Sequence, residues 1–174
     1  MKETNYLPSV ITSNLIVLVA SLIEFAILSN ISYLPAVPDL CLLCILFISI
    51  QDGKLIGETS GFVSGLCLDF LGTGPFGLNC LYRTIFGYLG GCFNKIINTN
   101  GIFIPCLLAF VATIVKALLL LLIGVLFPLI KIPFSPFTKI FLIEIIENII
   151  LAPFLFIILN LFKKTLILKP EAVI

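Results

Sequence analysis

The sequence has no histidine and no tryptophan, and only 11% of its 174 residues are charged. Without histidine, imidazole general-base chemistry and most zinc sites are excluded. Soluble domains carry roughly 25% charged residues. Here 60% of the residues are apolar and the mean hydropathy is +1.26, which is more apolar surface than water can cover. We therefore predict an all-α integral membrane protein.

Motifs of enzymes and of phosphate binding are also missing. The sequence has no HExxH and no GxSxG, and no Lys-Ser or Lys-Thr follows the glycine-rich run 72–77, so this run is not a phosphate loop. The basic residues are spread along the chain, which gives no patch for nucleic acid. Cys41 and Cys44 lie in an apolar run, and we interpret them as small apolar residues. We predict no catalytic site, no metal and no cofactor.

Long apolar runs, separated by polar or proline-containing breaks, predict one polytopic membrane domain over residues 1–174. A spanning helix needs about 20 predominantly apolar residues. Six helices are predicted, at about 9–31, 35–50, 55–71, 76–93, 102–127 and 138–162. Asp39, Glu58 and Asp69 weaken the second to fourth segments as spans, so five spans is the alternative.

Lysines near the predicted span ends set the expected orientation. Basic residues in short loops favour the cytoplasmic side, which predicts that both termini are cytoplasmic. This orientation leaves only Lys131 and Lys139 outside. It places six lysines inside: Lys2, Lys54, Lys95, Lys163, Lys164 and Lys169.

Two rows of glycine lie on the predicted third and fourth helices. Gly57, Gly61 and Gly65 recur every four residues, and Gly87 and Gly91 repeat the spacing on the next helix. Small residues at this spacing let two membrane helices approach closely, so dispersion and weak C–H···O contacts accumulate. We predict that the two helices pack as a tight antiparallel hairpin.

Asp69 and Arg83 lie within this predicted hairpin. A charge at the bilayer centre costs about 2.5–3.5 kcal/mol on insertion scales, so such residues need partners. We predict an ion pair between Asp69 and Arg83 that fixes the register of the hairpin. The alternative is that Arg83 reaches the membrane interface by itself.

Four more charged residues lie inside predicted spans. Lys116 is near the middle of its helix and needs a carboxylate, for which Glu24 is the candidate at matching depth. Glu144 and Glu147 share a helix face at i and i+3, with Asn148 beside them. We interpret Glu24, Lys116, Glu144 and Glu147 as internal ties or as contacts to a partner's membrane helix. A ligand pathway is the alternative.

Three motifs fall between residues 38 and 78. They are Pro38-Asp39 at the start of the second helix, GETSGFVSGLCLD at 57–69, and Pro75-Phe76-Gly77-Leu78. This pattern resembles the family of rod shape-determining proteins called MreD. Outside this region the likeness to the family is only one of hydropathy.

The resemblance implies a non-catalytic scaffold of the elongasome in the bacterial inner (cytoplasmic) membrane, supporting peptidoglycan synthesis, cell wall organisation and cell shape. The implied partners are an MreC-like protein, a RodA-type glycosyltransferase, a class B penicillin-binding protein and MreB. The resemblance also implies a six-helix fold like the S-component of energy-coupling-factor transporters, although fold does not fix function. The alternative function is therefore a substrate-binding subunit of such a vitamin transporter, for which the sequence offers few polar residues.

Overall fold

The computed structural model describes residues 6–28, 36–97, 99, 101–128 and 138–162. Within these residues the secondary structure is entirely helical, which confirms the predicted all-α class. Six α-helices are present: α1 (Tyr6–Ala26), α2 (Leu40–Asp52), α3 (Lys54–Leu71), α4 (Leu78–Cys92), α5 (Phe103–Leu126) and α6 (Lys139–Leu161).

Three of the helices are long and apolar enough to cross a membrane, at Leu7–Ala26, Phe103–Leu126 and Lys139–Leu161. They indicate a membrane protein. The 13 residues of α2 measure only about 20 Å at about 1.5 Å per residue, whereas the hydrocarbon core is about 30 Å thick. The counts of six or five spans go beyond these three helices and stay predictions.

The start of α2 differs from the predicted start at residue 35. Residues 36–39 are not helical, and the helix begins at Leu40 because Asp39 caps it. The Asp39 Oδ1 atom accepts a hydrogen bond of 2.9 Å from the Leu42 N–H, a contact typical of an aspartate before the first turn. The first helix ends at Ala26, and its predicted end at 31 lies outside the described residues.

The short helix α2 lies at the centre of the bundle. Its ten consecutive residues from Cys41 to Ile50 are buried, and it contacts each of the other five helices. The ring centroids of Phe47 and Phe156 are 5.1 Å apart in an edge-on contact between α2 and α6. Within the described residues no Cα atom of α1 lies within 8 Å of a Cα atom of α6. Helix α2 thus joins a group formed by α1, α3 and α4 to the pair α5 and α6.

The glycine rows of α3 and α4 face each other across an antiparallel hairpin. A Cβ atom added to Gly57 would lie 2.5 Å from the Gly87 carbonyl oxygen, and one added to Gly87 would clash with Gly57. A Cβ on Gly61 would meet the Arg83 backbone, and one on Gly65 would lie 2.5 Å from the Cys80 Cα. Only a residue without Cβ allows this close approach, so the glycines set the distance between the two helices.

The same close approach continues at the end of α4. A Cβ added to Gly91 would meet the backbone of Lys54, at the start of α3. The pairs 57 with 87, 61 with 83 and 54 with 91 define one antiparallel register over the whole hairpin.

Candidate functional site

A buried network of five charged residues connects five of the helices, and Asp39 lies at its centre. Asp39 Oδ1 is 2.8 Å from Arg83 Nη2 on α4, and Asp39 Oδ2 is 2.8 Å from Lys116 Nζ on α5. Only 2% of Asp39 and 1% of Arg83 is exposed. One carboxylate that is shielded from solvent is therefore paired with two cations. A buried charge requires such pairing.

Two further carboxylates complete what we call the Asp39 network, namely Glu24, Asp39, Arg83, Lys116 and Glu144. Glu24 on α1 accepts a hydrogen bond of 3.1 Å from Arg83 Nη2, and Glu144 on α6 lies 2.7 Å from Lys116 Nζ. Glu24 Oε2 also accepts a hydrogen bond of 2.9 Å from the Cys41 N–H. Carboxylates thus bind backbone N–H groups in the first turn of α2, where a helix has no partners of its own.

A neutral polar chain extends the network into α5 and α6. Asn148 Oδ1 accepts a hydrogen bond of 2.9 Å from the Asp39 N–H, and Asn148 Nδ2 donates one of 3.1 Å to Thr113 Oγ1. Asn148 and Thr113 are both completely buried. The backbone and the side chain of Asp39 are therefore both fixed by neighbouring helices.

The predicted ion pair between Asp69 and Arg83 does not form. In the observed register Arg83 lies opposite Gly61, which is eight residues before Asp69. Eight helical residues measure about 12 Å along the axis, more than an arginine side chain can span. Arg83 points toward α1 and α2 instead and binds Glu24 and Asp39.

Asp69 has a different role at the other end of the hairpin, where it holds the start of α4. Its two carboxylate oxygens accept hydrogen bonds of 3.0 Å from the backbone N–H groups of Gly77, Asn79 and Cys80. The Asn79 side chain donates one more, of 2.9 Å. A carboxylate at a helix N-terminus satisfies the free N–H groups and complements the helix dipole. The aspartate thus fixes the register of the hairpin through the backbone.

The depth argument that matched Lys116 with Glu24 is also wrong. Lys116 binds Asp39 and Glu144, whereas Glu24 binds Arg83. Depth along a helix does not reveal which face points inward, so several carboxylates at similar depth were equally compatible with Lys116.

Glu144 and Glu147 have separate environments although they are one turn apart. Glu144 binds Lys116, whereas the buried Oε2 atom of Glu147 has no hydrogen-bond partner among the described residues. Glu147 is half-buried on α6. Of the two carboxylates, Glu147 is the one that lacks an internal cation in the part of the chain that is described.

A cavity of about 440 Å³ adjoins the Asp39 network. Nine residues line it. Four belong to the network, namely Glu24, Asp39, Arg83 and Lys116, and the other five are Leu68, Asn79, Tyr82, Phe25 and Val37, of which the last two lie at its edge. The Tyr82 hydroxyl donates a hydrogen bond of 3.1 Å to Asn79 Oδ1. The cavity therefore combines a polar interior with apolar residues at the edge.

The paired charges of this site connect the helices to one another. The described residues include no group of three or more histidine, cysteine or carboxylate side chains placed to hold a metal ion. The buried Cys41 thiol is 3.2 Å from Ser21 Oγ, and all six cysteines are free. A network of paired carboxylates and cations stabilises the arrangement of helices, because removing one partner leaves the other buried and unpaired.

Asp39 and Asn148 are the site residues that the sequence argument did not select. The signal for Asp39 was its position directly after Pro38 and before an apolar run, where an aspartate caps a helix. The signal for Asn148 was its place one residue after Glu147 in a very apolar segment, where an amide needs a hydrogen-bond partner.

Comparison with known proteins gives one result. No curated protein and no solved structure matches the chain. The family model described as rod shape-determining protein MreD matches residues 6–162, which is nearly the whole chain. The family is one of cell-shape proteins of the membrane, in agreement with the helices long enough to cross a bilayer. The chain belongs to the MreD family of rod shape-determining proteins.

Proposed function

We propose that this protein is a non-catalytic scaffold of the bacterial cell-elongation machinery, and that it binds the membrane helix of an MreC-like partner. Membership of the MreD family carries this proposal. The proposed location is the inner membrane, with both termini in the cytoplasm. Through this partner the protein supports peptidoglycan synthesis together with a RodA-type glycosyltransferase, a class B penicillin-binding protein and MreB.

The surface that fits a partner helix is an apolar groove of about 330 Å³ between α1 and α6. We call it the α1–α6 groove. Its walls are Leu15, Val19, Ile23, Leu155, Ile158 and Phe162, and its floor includes Leu40 and Cys44 of α2. In the described residues the backbones of the two walls stay more than 8 Å apart, so the groove lies between separated helices. A helix that fills it would gain dispersion contacts on three sides.

Charge complementarity indicates what the partner helix carries. Glu147, Leu151, Leu155 and Ile158 follow one another at spacings of four, four and three residues, so they share one face of α6. Leu155 and Ile158 line the groove, and Glu147 lies two turns before Leu155 on that face. A carboxylate without a partner is costly in a membrane. A lysine, arginine, serine or asparagine on the partner helix would supply the missing donor.

Co-purification from membranes tests this proposal with a matched pair of variants. Val19 lies in the groove and is 48% exposed, whereas Val125 on α5 is 78% exposed and lies outside the groove. We expect Val19→Trp to abolish capture of the MreC-like partner, because the indole occupies the space of the partner helix. Val125→Trp is expected to capture the partner as the unmodified protein does.

The yield and thermal stability of both variants are measured alongside, so that loss of binding is separated from loss of folding. Full capture of the partner by a folded Val19→Trp variant would exclude the groove as the docking surface. Failure of the unmodified chain to capture the partner would contradict the proposed scaffold function as a whole.

A further inference from the structure

A second groove, between α4 and α5, is lined entirely by apolar residues and glycine. We call it the α4–α5 groove. Its volume is about 260 Å³ and its floor is formed by α2. Its walls include Phe86, Leu89 and Phe93 of α4 and Leu108, Val111 and Val115 of α5. This groove shares no residue with the α1–α6 groove and lies on a different side of α2.

The α4–α5 groove is closed at one end and open at the other. Toward the middle of the bundle, Tyr82, Phe86 and Leu120 belong to one buried cluster that joins α4 to α5. Leu89 and Phe93, further along α4, are exposed. A flexible apolar chain can therefore enter from the end at which α4 stops.

The dimensions of the groove fit an extended chain better than a helix. Cα atoms of α4 and α5 approach within 8 Å of each other, unlike those of α1 and α6. A helix with its side chains is about 10–12 Å wide and needs neighbours that stay apart. The seven residues from Phe86 to Phe93 measure about 10 Å along α4. This length lies within one leaflet, whose hydrocarbon depth is about 15 Å, half of the core of about 30 Å.

A single positive charge lies at the open end of the groove. Lys95 follows Phe93 by two residues and is the only charged residue in the stretch 84–115, which forms both walls and their connection. It is exposed and forms no ion pair with the described carboxylates. Its neighbour Ile96 is 75% exposed. A lysine beside exposed apolar residues at a helix end places its ammonium at the level of the lipid headgroups.

We propose that the α4–α5 groove binds an acyl chain of an anionic phospholipid, whose phosphate contacts Lys95. The chain enters past Phe93 and ends near Phe86, where it covers apolar surface. Lys95 favours a lipid of net negative charge, because the choline group of phosphatidylcholine cancels the charge of its phosphate. In the proposed orientation the lipid belongs to the cytoplasmic leaflet. The inference does not depend on the scaffold function.

Tryptophan fluorescence tests the proposal, because the chain contains no tryptophan. Phe93→Trp places a single indole at the open end of the groove. The full-length variant is reconstituted in vesicles of equal parts phosphatidylglycerol and phosphatidylcholine, in which either one lipid or the other carries brominated chains that quench a neighbouring indole. The membrane composition is then the same in both samples. We expect phosphatidylglycerol to be preferred about five-fold, the contribution of one lysine near an anionic headgroup.

Phe110→Trp is the control for the position of the indole. Phe110 is 41% exposed, does not line the groove, and projects from α5 about 200° away from Leu108. The two brominated lipids should quench this indole equally.

A matched pair of lysine variants, made in the Phe93→Trp background, tests the headgroup contact. Lys95→Gln should remove the preference for phosphatidylglycerol. Lys54→Gln should retain it, because Lys54 Nζ lies 5.2 Å from the ring centroid of Tyr88, which projects from the face of α4 opposite Phe86.

A second pair tests the place of the acyl chain. Val111→Phe fills part of the groove and should weaken the quenching of the indole at position 93, whereas Val125→Phe lies outside the groove and should not. If Phe93→Trp does not fold, native mass spectrometry makes the same comparison of lipid binding between the unmodified chain and Lys95→Gln.

Equal quenching by the two lipids at position 93, or a preference that survives Lys95→Gln, would overturn the proposal. Absence of quenching at position 93 by either lipid would also overturn it and favour a protein segment in the groove, from a second copy or a partner. Loss of the preference on addition of glycerol phosphate, which has no acyl chain, would overturn the lipid assignment and favour a soluble anion.

Discussion

Asp39 and Arg83 form a direct ion pair of 2.8 Å between the residue that caps α2 and the middle of α4. Each residue provides the counter-charge that the other lacks on its own helix. Asp39 requires cations because it is 2% exposed, and Arg83 requires carboxylates because it is 1% exposed. The pair therefore couples the start of the central helix to the glycine-rich hairpin.

A double-mutant cycle should show this coupling. Asp39→Asn leaves Arg83 with Glu24 alone, and Arg83→Gln leaves Asp39 with Lys116 alone. Each therefore removes one of two partners of a buried charge, and complete loss of pairing would cost about 3–5 kcal/mol. We expect the double variant to lose much less than the sum of the two single losses. The measurement is the free energy of unfolding in mixed micelles.

The matched cycle replaces Asp39→Asn with Asp69→Asn. Asp69 binds the start of α4 and not Arg83, so its loss should add to that of Arg83→Gln within about 0.5 kcal/mol. Strong coupling between Asp69 and Arg83 would contradict the arrangement of the network described above.

Adding a single methyl group inside the hairpin should destabilise the protein. In Gly61→Ala the new Cβ meets the Arg83 backbone, which cannot move aside as a flexible side chain would. Overpacking of this kind costs about 1–3 kcal/mol. Thermal unfolding should therefore shift to lower temperature for this variant.

Gly74→Ala is the control for that experiment, because a Cβ at Gly74 has no atom within 4 Å and the residue is exposed. Its unfolding temperature should match that of the unmodified protein. An equal loss in both variants would show that a general effect of removing glycine, and not helix contact, is responsible.

The neutral polar chain at Asn148 should contribute less than the ion pairs. Asn148→Leu removes the acceptor of the Asp39 N–H and the donor to Thr113, and an unsatisfied buried group costs about 1–3 kcal/mol. Thr113→Val removes the acceptor of the Asn148 amide and a hydrogen bond to the Ala109 carbonyl of its own helix, but it leaves the Asp39 N–H satisfied and should cost less. Unfolding measurements that reversed this order would contradict the role given to Asn148.

Substitutions of the two carboxylates of α6 should distinguish an effect on stability from an effect on partner binding. Glu144→Gln removes one of the two carboxylates that bind Lys116, the other being Asp39, and should lower the unfolding temperature. Glu147→Gln should leave stability nearly unchanged, because its Oε2 atom binds no described residue. Capture of an MreC-like partner should instead weaken in Glu147→Gln, as measured by co-purification with the yield of each variant as reference.

The sequence predicted features that depend on neighbours along the chain. The glycine spacing on α3 and α4 led to the close hairpin, because both rows lie within segments joined by a short turn. The partners of Arg83 and Lys116 could not be found in this way. They depend on how α1, α2, α5 and α6 rotate about their axes, and the nearly uniform apolar composition of these helices carries little information on rotation. Asp39 was noted as a weak point in a span and as part of the Pro38-Asp39 motif, but not as a partner of cations, because its role as a cap depends on where α2 starts.

The completion of the first turn of α2 depends on residues far along the chain. Its N–H groups are held by Asp39 and Glu24, and Asp39 is held by residues of α4, α5 and α6. The contacts of Asp39 and Lys116 with α6 can form only after α6 has been synthesised. A chain that stopped before α6 would lack the Asn148 and Glu144 side chains that bind Asp39 and Lys116 from that side.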